Sequence, residues 1–61
     1  MKQYVGKKVI LRVIVDGVSL SYTATINKVD KTHIHFTDKF GENLSYRIQD
    51  IIEIRERDND K

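Results

Sequence analysis

The side chains best suited to chemistry in this chain are two histidines, a lysine-phenylalanine pair and a set of scattered cations. His33 and His35 stand two residues apart, and Ser45 and Arg47 repeat that spacing further on. On extended backbone a spacing of two puts side chains on one face. If the two segments are neighbouring strands, the four residues form a polar patch able to contact a phosphate or a base. No metal site is expected there. Only two nitrogen ligands are in view, the chain has no cysteine, and Arg47 would repel a cation.

Lys39 and Phe40 precede Gly41 between two patterned segments, which places them in a loop. An aromatic ring beside a cation in a loop can stack a base or anchor a protein partner. The other role open to Phe40 is to fold back over the end of a small barrel. The remaining cations weight the first half of the chain. Residues 1–31 hold six Lys or Arg against two Asp, whereas residues 32–61 hold five basic groups against seven acidic ones. Lys7, Lys8, Arg12 and Lys31 therefore join Lys39 and Arg47 as candidate phosphate contacts, with His33, His35 and Phe40 beside them.

Catalysis has little to stand on. Ser, His and Asp residues occur without motif spacing, there is no glycine-rich phosphate loop, and no cysteine can serve as a nucleophile. A water-excluding pocket is also hard to build from 61 residues. The reading is a non-enzyme that needs no cofactor.

These residues must be positioned by strands, because the hydrophobic pattern has a period of two nearly throughout. Val9, Leu11, Val13 and Val15 alternate with Ile10, Arg12 and Ile14. Asp16-Gly17 follows, the pair a two-residue type I′ hairpin requires. Val18, Leu20, Tyr22, Ala24 and Ile26 continue the alternation, and the hairpin would set each inward residue against another apolar one. A one-residue slip would set them against serines and threonines, so the register is well specified. Parity changes after Ile26, which predicts a bulge or bend near residues 27–29.

The full expectation is five antiparallel strands near 7–15, 18–28, 33–37, 44–48 and 52–56, with one helical turn at Gln49-Asp50. The expected core is Val9, Leu11, Val13, Leu20, Tyr22, Ala24, Ile26, Ile34, Phe36, Leu44, Tyr46, Ile48, Ile52 and Ile54. Tyr4 is expected to pack against it. The fold class is all-β: one strongly bent sheet closing into a five-strand barrel, which removes exposed edges. Residues 1–56 form a single domain and 57–61 a charged tail expected to fray. No apolar run reaches the length of a membrane span, and the first patterned segment starts too close to Met1 to leave room for a leader, so a cytoplasmic location is expected.

The order of parts resembles a known family. Gly6-Lys7-Lys8-Val9 opens the first strand, residues 29–38 read VDKTHIHFTD, and residues 46–54 read YRIQDIIEI. Over residues 5–55 this resembles the Sm-like small barrels of the SH3-like kind, among them Hfq-type and archaeal Sm-like proteins, and the C-terminal barrel of the ribosome-maturation factor RimP. The resemblance implies a small barrel and RNA as the first choice of ligand. His33 falls near the position of the family's base-contacting Asn. Where the family has an Arg-Gly pair after its fourth strand, this chain has Arg47-Ile48.

Strand one offers an alternative. Ile10 and Ile14 point away from Val9, Leu11, Val13 and Val15, which makes the strand apolar on both sides. A strand covered on both faces reads this way. The two isoleucines are therefore a candidate protein interface, either for a partner or for a second copy of the chain.

Overall fold

The computed structural model describes residues 2–57. Five strands follow one another: β1 Lys8–Val15, β2 Val18–Val29, β3 His33–Asp38, β4 Asn43–Arg47 and β5 Ile51–Glu56. Single turns of 3-10 helix occupy Lys2–Tyr4 and Ile48–Asp50. All the strands belong to one antiparallel sheet in the order β4-β3-β2-β1-β5.

The β1–β2 register is the one the alternation demands. Val15 faces Val18, Val13 faces Leu20, Leu11 faces Tyr22 and Val9 faces Ala24. Asp16 (φ 51°) and Gly17 (φ 77°) both take positive φ, as a type I′ turn requires. At the far end of β2 the register shifts between Ile26 and Lys28, so Asn27 is the extra residue that changes the parity. Beyond it Lys28 stands opposite His35 and Val29 opposite Ile34.

One face of the sheet carries the core. Val9, Leu11, Val13, Ala24, Ile26, Ile34 and Phe36 are all 1% exposed or less. A flat single sheet has no second layer to cover its residues that completely, so this one is curled over its own inner face. Tyr4, Leu20, Tyr22, Leu44, Tyr46 and Ile54 pack around the seven as half-buried neighbours. The N-terminal turn is tied on where Gly6 N donates to Ile26 O at 2.7 Å and Ile26 N donates to Lys7 O at 3.1 Å.

Two expectations need correction. The sheet is strongly curved but its hydrogen-bond ladder is not closed into a barrel; β4 and β5 remain its two edges. Ile52 is not a core residue. The β1–β5 register shifts between Arg12 and Val13, where Glu53 faces Arg12 and Ile51 faces Val13. That bulge leaves Ile52 53% exposed and moves Ile51 into contact with the core in its place. Ile48 is half-buried in the 3-10 turn after β4.

Candidate nucleic-acid interface

Apart from Ile10, Ile14 and Ile52 the outer face of the sheet is largely polar, and at one end the register assembles a row across β1 to β4. Lys8 faces Thr25, Thr25 faces Thr37, and Thr37 faces Asn43. Arg57 completes the row beyond the end of β5, where its N–H donates to Lys8 O at 2.9 Å. The bulged Asn27 reaches into the row: its Nδ2 donates to Thr37 Oγ1 at 2.9 Å, and Thr37 Oγ1 donates to Asn43 Oδ1 at 2.8 Å. A shallow groove of about 490 Å³ lies over this end, with Thr23, Thr25 and Thr37 among its lining residues and Lys8, Lys39 and Arg57 around them.

The groove is cationic. Among the described residues, no carboxylate forms an ion pair with Lys8, Lys39 or Arg57. Among the described residues Asp38 is the one acid lining the groove, and its Oδ1 accepts from the N–H groups of Phe40 and Glu42, both at 2.9 Å. These bonds shape the β3–β4 loop. Asp38 N donates to Glu42 O at 2.9 Å, Gly41 N donates to Asp38 O at 3.0 Å, and Gly41 takes φ 85°. Only glycine enters that left-handed region without cost, and it closes the three-residue hairpin loop. Phe40, at the tip, is 79% exposed, so it does not fold back over the core. Lys39 Nζ stands 5.3 Å from the centroid of its ring, in cation–π range.

The histidines lie at the other end of β3. His35 faces Ser45 and His33 faces Arg47, so the polar patch exists as a geometric unit. Its hydrogen bonds, however, serve the β2–β3 turn. Asp30 Oδ1 accepts from Thr32 N at 2.9 Å and His33 N at 2.7 Å, and Asp30 Oδ2 meets His35 Nε2 at 3.1 Å. The contact with His35 first, and then the two backbone donors, hold the Asp30 carboxyl well below the usual carboxylate range. His33 Nδ1 lies 2.8 Å from Thr32 Oγ1. Arg47 forms an ion pair with Asp50 at 3.4 Å, and Lys31 lies across a second groove from it.

The sequence-derived candidates thus separate into groups. Lys8, Lys39 and Phe40 gather at one end; Lys31, His33, His35 and Arg47 gather at the other. β3 runs from one group to the other, with His33 and His35 at its start and Lys39 following its end. Lys7 and Arg12 belong to neither group, since Lys7 pairs with Glu56 at 3.0 Å and Arg12 with Glu53 at 3.2 Å. Ile10 stands between Thr23 and Arg55, and Ile14 opposite Ser19; both are half-buried. No three His, Cys, Asp or Glu side chains among the described residues come together as a metal-binding set.

Arg57 and the threonines are groove residues that composition does not reveal. Arg57 looks like the first residue of a charged tail, yet it is bonded to β1; the remainder of that tail lies outside the described residues. The signal for the threonines was the strict odd-numbered Thr23, Thr25 series opposite the apolar face. Comparison of the chain with protein-family models, with curated proteins and with solved structures finds no match.

Proposed function

We propose that this chain is a non-enzymatic nucleic-acid-binding module on an open, curled small barrel of the Sm-like or SH3-like kind. The observation that carries the reading is the groove that sets Lys8, Lys39 and Arg57 around Thr23, Thr25 and Thr37, with the exposed Phe40 ring beside Lys39. Cations without an acidic partner among the described residues favour a polyanion, because each phosphate they neutralise releases counterions. Threonine hydroxyls can both donate to and accept from a 2′-hydroxyl, which favours RNA over DNA. The sequence resemblance to Sm-like proteins points the same way.

Titration of a labelled oligoribonucleotide against the protein at several salt concentrations tests this. Affinity should fall as salt rises, with a log–log slope of about −2 if three phosphates are neutralised on a single strand. Absence of binding at low salt, or binding indifferent to salt, would remove the reading.

Ile52 favours a second reading, association through strand one. The β5 bulge turns it to solvent beside Arg12, which itself lies between Ile10 and Ile14. The variant Ile10→Lys with Ile14→Glu should then abolish any rise of mass with concentration in light scattering. A parent chain that stays monomeric at high micromolar concentration would end this alternative.

A further inference from the structure

Within the nucleic-acid reading, on which this rests, we infer that the ligand is a single strand: its phosphates lie along the Lys8–Lys39–Arg57 groove, and an unpaired base stacks on Phe40.

Lys39 makes the connection. Its side chain lines the groove, and its ammonium lies 5.3 Å from the Phe40 ring centroid. A phosphate neutralised by Lys39 therefore lies beside the ring, and only a sugar separates a phosphate from the base of its own nucleotide. The lysine takes one side of the ring. With Phe40 79% exposed, the other side is open to a flat ligand.

The ring is also preorganised. Four hydrogen bonds within residues 38–42 fix the loop: two to the Asp38 carboxylate and two between backbone groups of Asp38, Gly41 and Glu42. A platform that is already ordered loses little entropy when the ligand binds. These bonds close the β3–β4 hairpin, and in doing so they hold an exposed aromatic in a fixed place. A duplex cannot use the platform, because its base faces are hidden in the stack. The Asn27–Thr37–Asn43 chain engages Asn27 Nδ2 and Asn43 Oδ1 through the Thr37 hydroxyl. Stacking alone tolerates every base.

The test uses the full chain and three labelled probes: a short oligouridine, an abasic ribose-phosphate strand of equal length, and an RNA duplex. The expected result is tighter binding of oligouridine than of either other probe, with Phe40→Ala lowering its affinity about tenfold, to the abasic level. Affinity for the abasic strand should not change. Phe40→Trp should restore binding, and its fluorescence should be quenched by the bound base, since the chain has no other tryptophan. Melting of the Phe40→Ala variant should match the parent, given the exposure of the ring. Equal binding of oligouridine and the abasic strand, equal binding of duplex, or an inert Phe40→Ala would overturn the stacked single strand and leave a phosphate-binding module. Failure of all three probes to bind at low salt would instead overturn the nucleic-acid reading itself.

Discussion

The hydroxyls of Tyr22 and Tyr46 meet at 2.6 Å although β3 lies between the strands that carry them. Curvature of the sheet brings the two rings together over Phe36, with centroids 5.4 Å and 6.0 Å from it. The shared hydrogen bond, followed by burial, pushes the Tyr22 phenol up to about 12. Either tyrosine changed to Phe should cost about 0.5–1.5 kcal/mol in denaturant melts. The double change should cost less than the sum, because no half-buried hydroxyl is then left without its partner. Since the folded pKa lies above the unfolded value of about 10, this contribution is intact below pH 10. It should disappear as pH rises toward 12, and Tyr22→Phe should flatten that alkaline loss.

Asp30 supplies the opposite dependence. Its folded pKa is depressed by His35 and by the amides of Thr32 and His33. Such a group stabilises the fold above its unfolded pKa, about 3.9, and the contribution is lost as pH falls through the folded value. An acid titration followed by circular dichroism should show stability declining from about pH 4 downward. Asp30→Asn keeps an acceptor for the turn amides but no charge, so its stability should vary less across that window. An unchanged acid profile would show that the turn is held by backbone geometry alone.

Phe36 and Ile52 mark the two extremes of burial among the residues expected in the core. Phe36 is fully buried, and Phe36→Ala should cost about 3–5 kcal/mol. That is comparable to the whole stability a domain of this size can draw from one core, so the variant should be largely unfolded at room temperature. Ile52→Ala should change stability by no more than about 0.5 kcal/mol, as at other exposed positions. A large effect of Ile52→Ala would mean that something covers the bulge, and it would revive the association reading.

The contrast shows where sequence patterning suffices. Asp16-Gly17 pinned the first hairpin, because only one register sets Val9 through Val15 against apolar partners. The parity change after Ile26 announced the Asn27 bulge. In β5 the run Ile51-Ile52-Glu53-Ile54 is apolar at both parities, so a period of two cannot choose which isoleucine turns inward. The bulge opposite Arg12 and Val13 makes that choice. Closure of the sheet was not legible either, since alternation is the same in an open sheet and a closed one. The groove needed the registers of three strand pairs at once to bring Lys8, Thr25, Thr37 and Asn43 into line.

Lys7 and Lys8 are neighbours in sequence with the same charge, yet they are not equivalent. Lys7 is paired with Glu56, whereas Lys8 lines the groove. Both members of the Lys7–Glu56 pair are about half exposed, so the pair itself adds little stability. It still cancels the Lys7 charge locally. Lys8→Gln, Lys39→Gln and Arg57→Gln should each lower affinity for all RNA sequences alike and reduce the salt slope by about 0.7. Lys7→Gln and Arg12→Gln should have smaller effects, because each of those charges already faces a glutamate. Glu56→Gln should strengthen binding by leaving Lys7 without its acid. If Lys7→Gln weakens binding as much as Lys8→Gln does, net charge alone drives the affinity, and the groove is not where the strand lies.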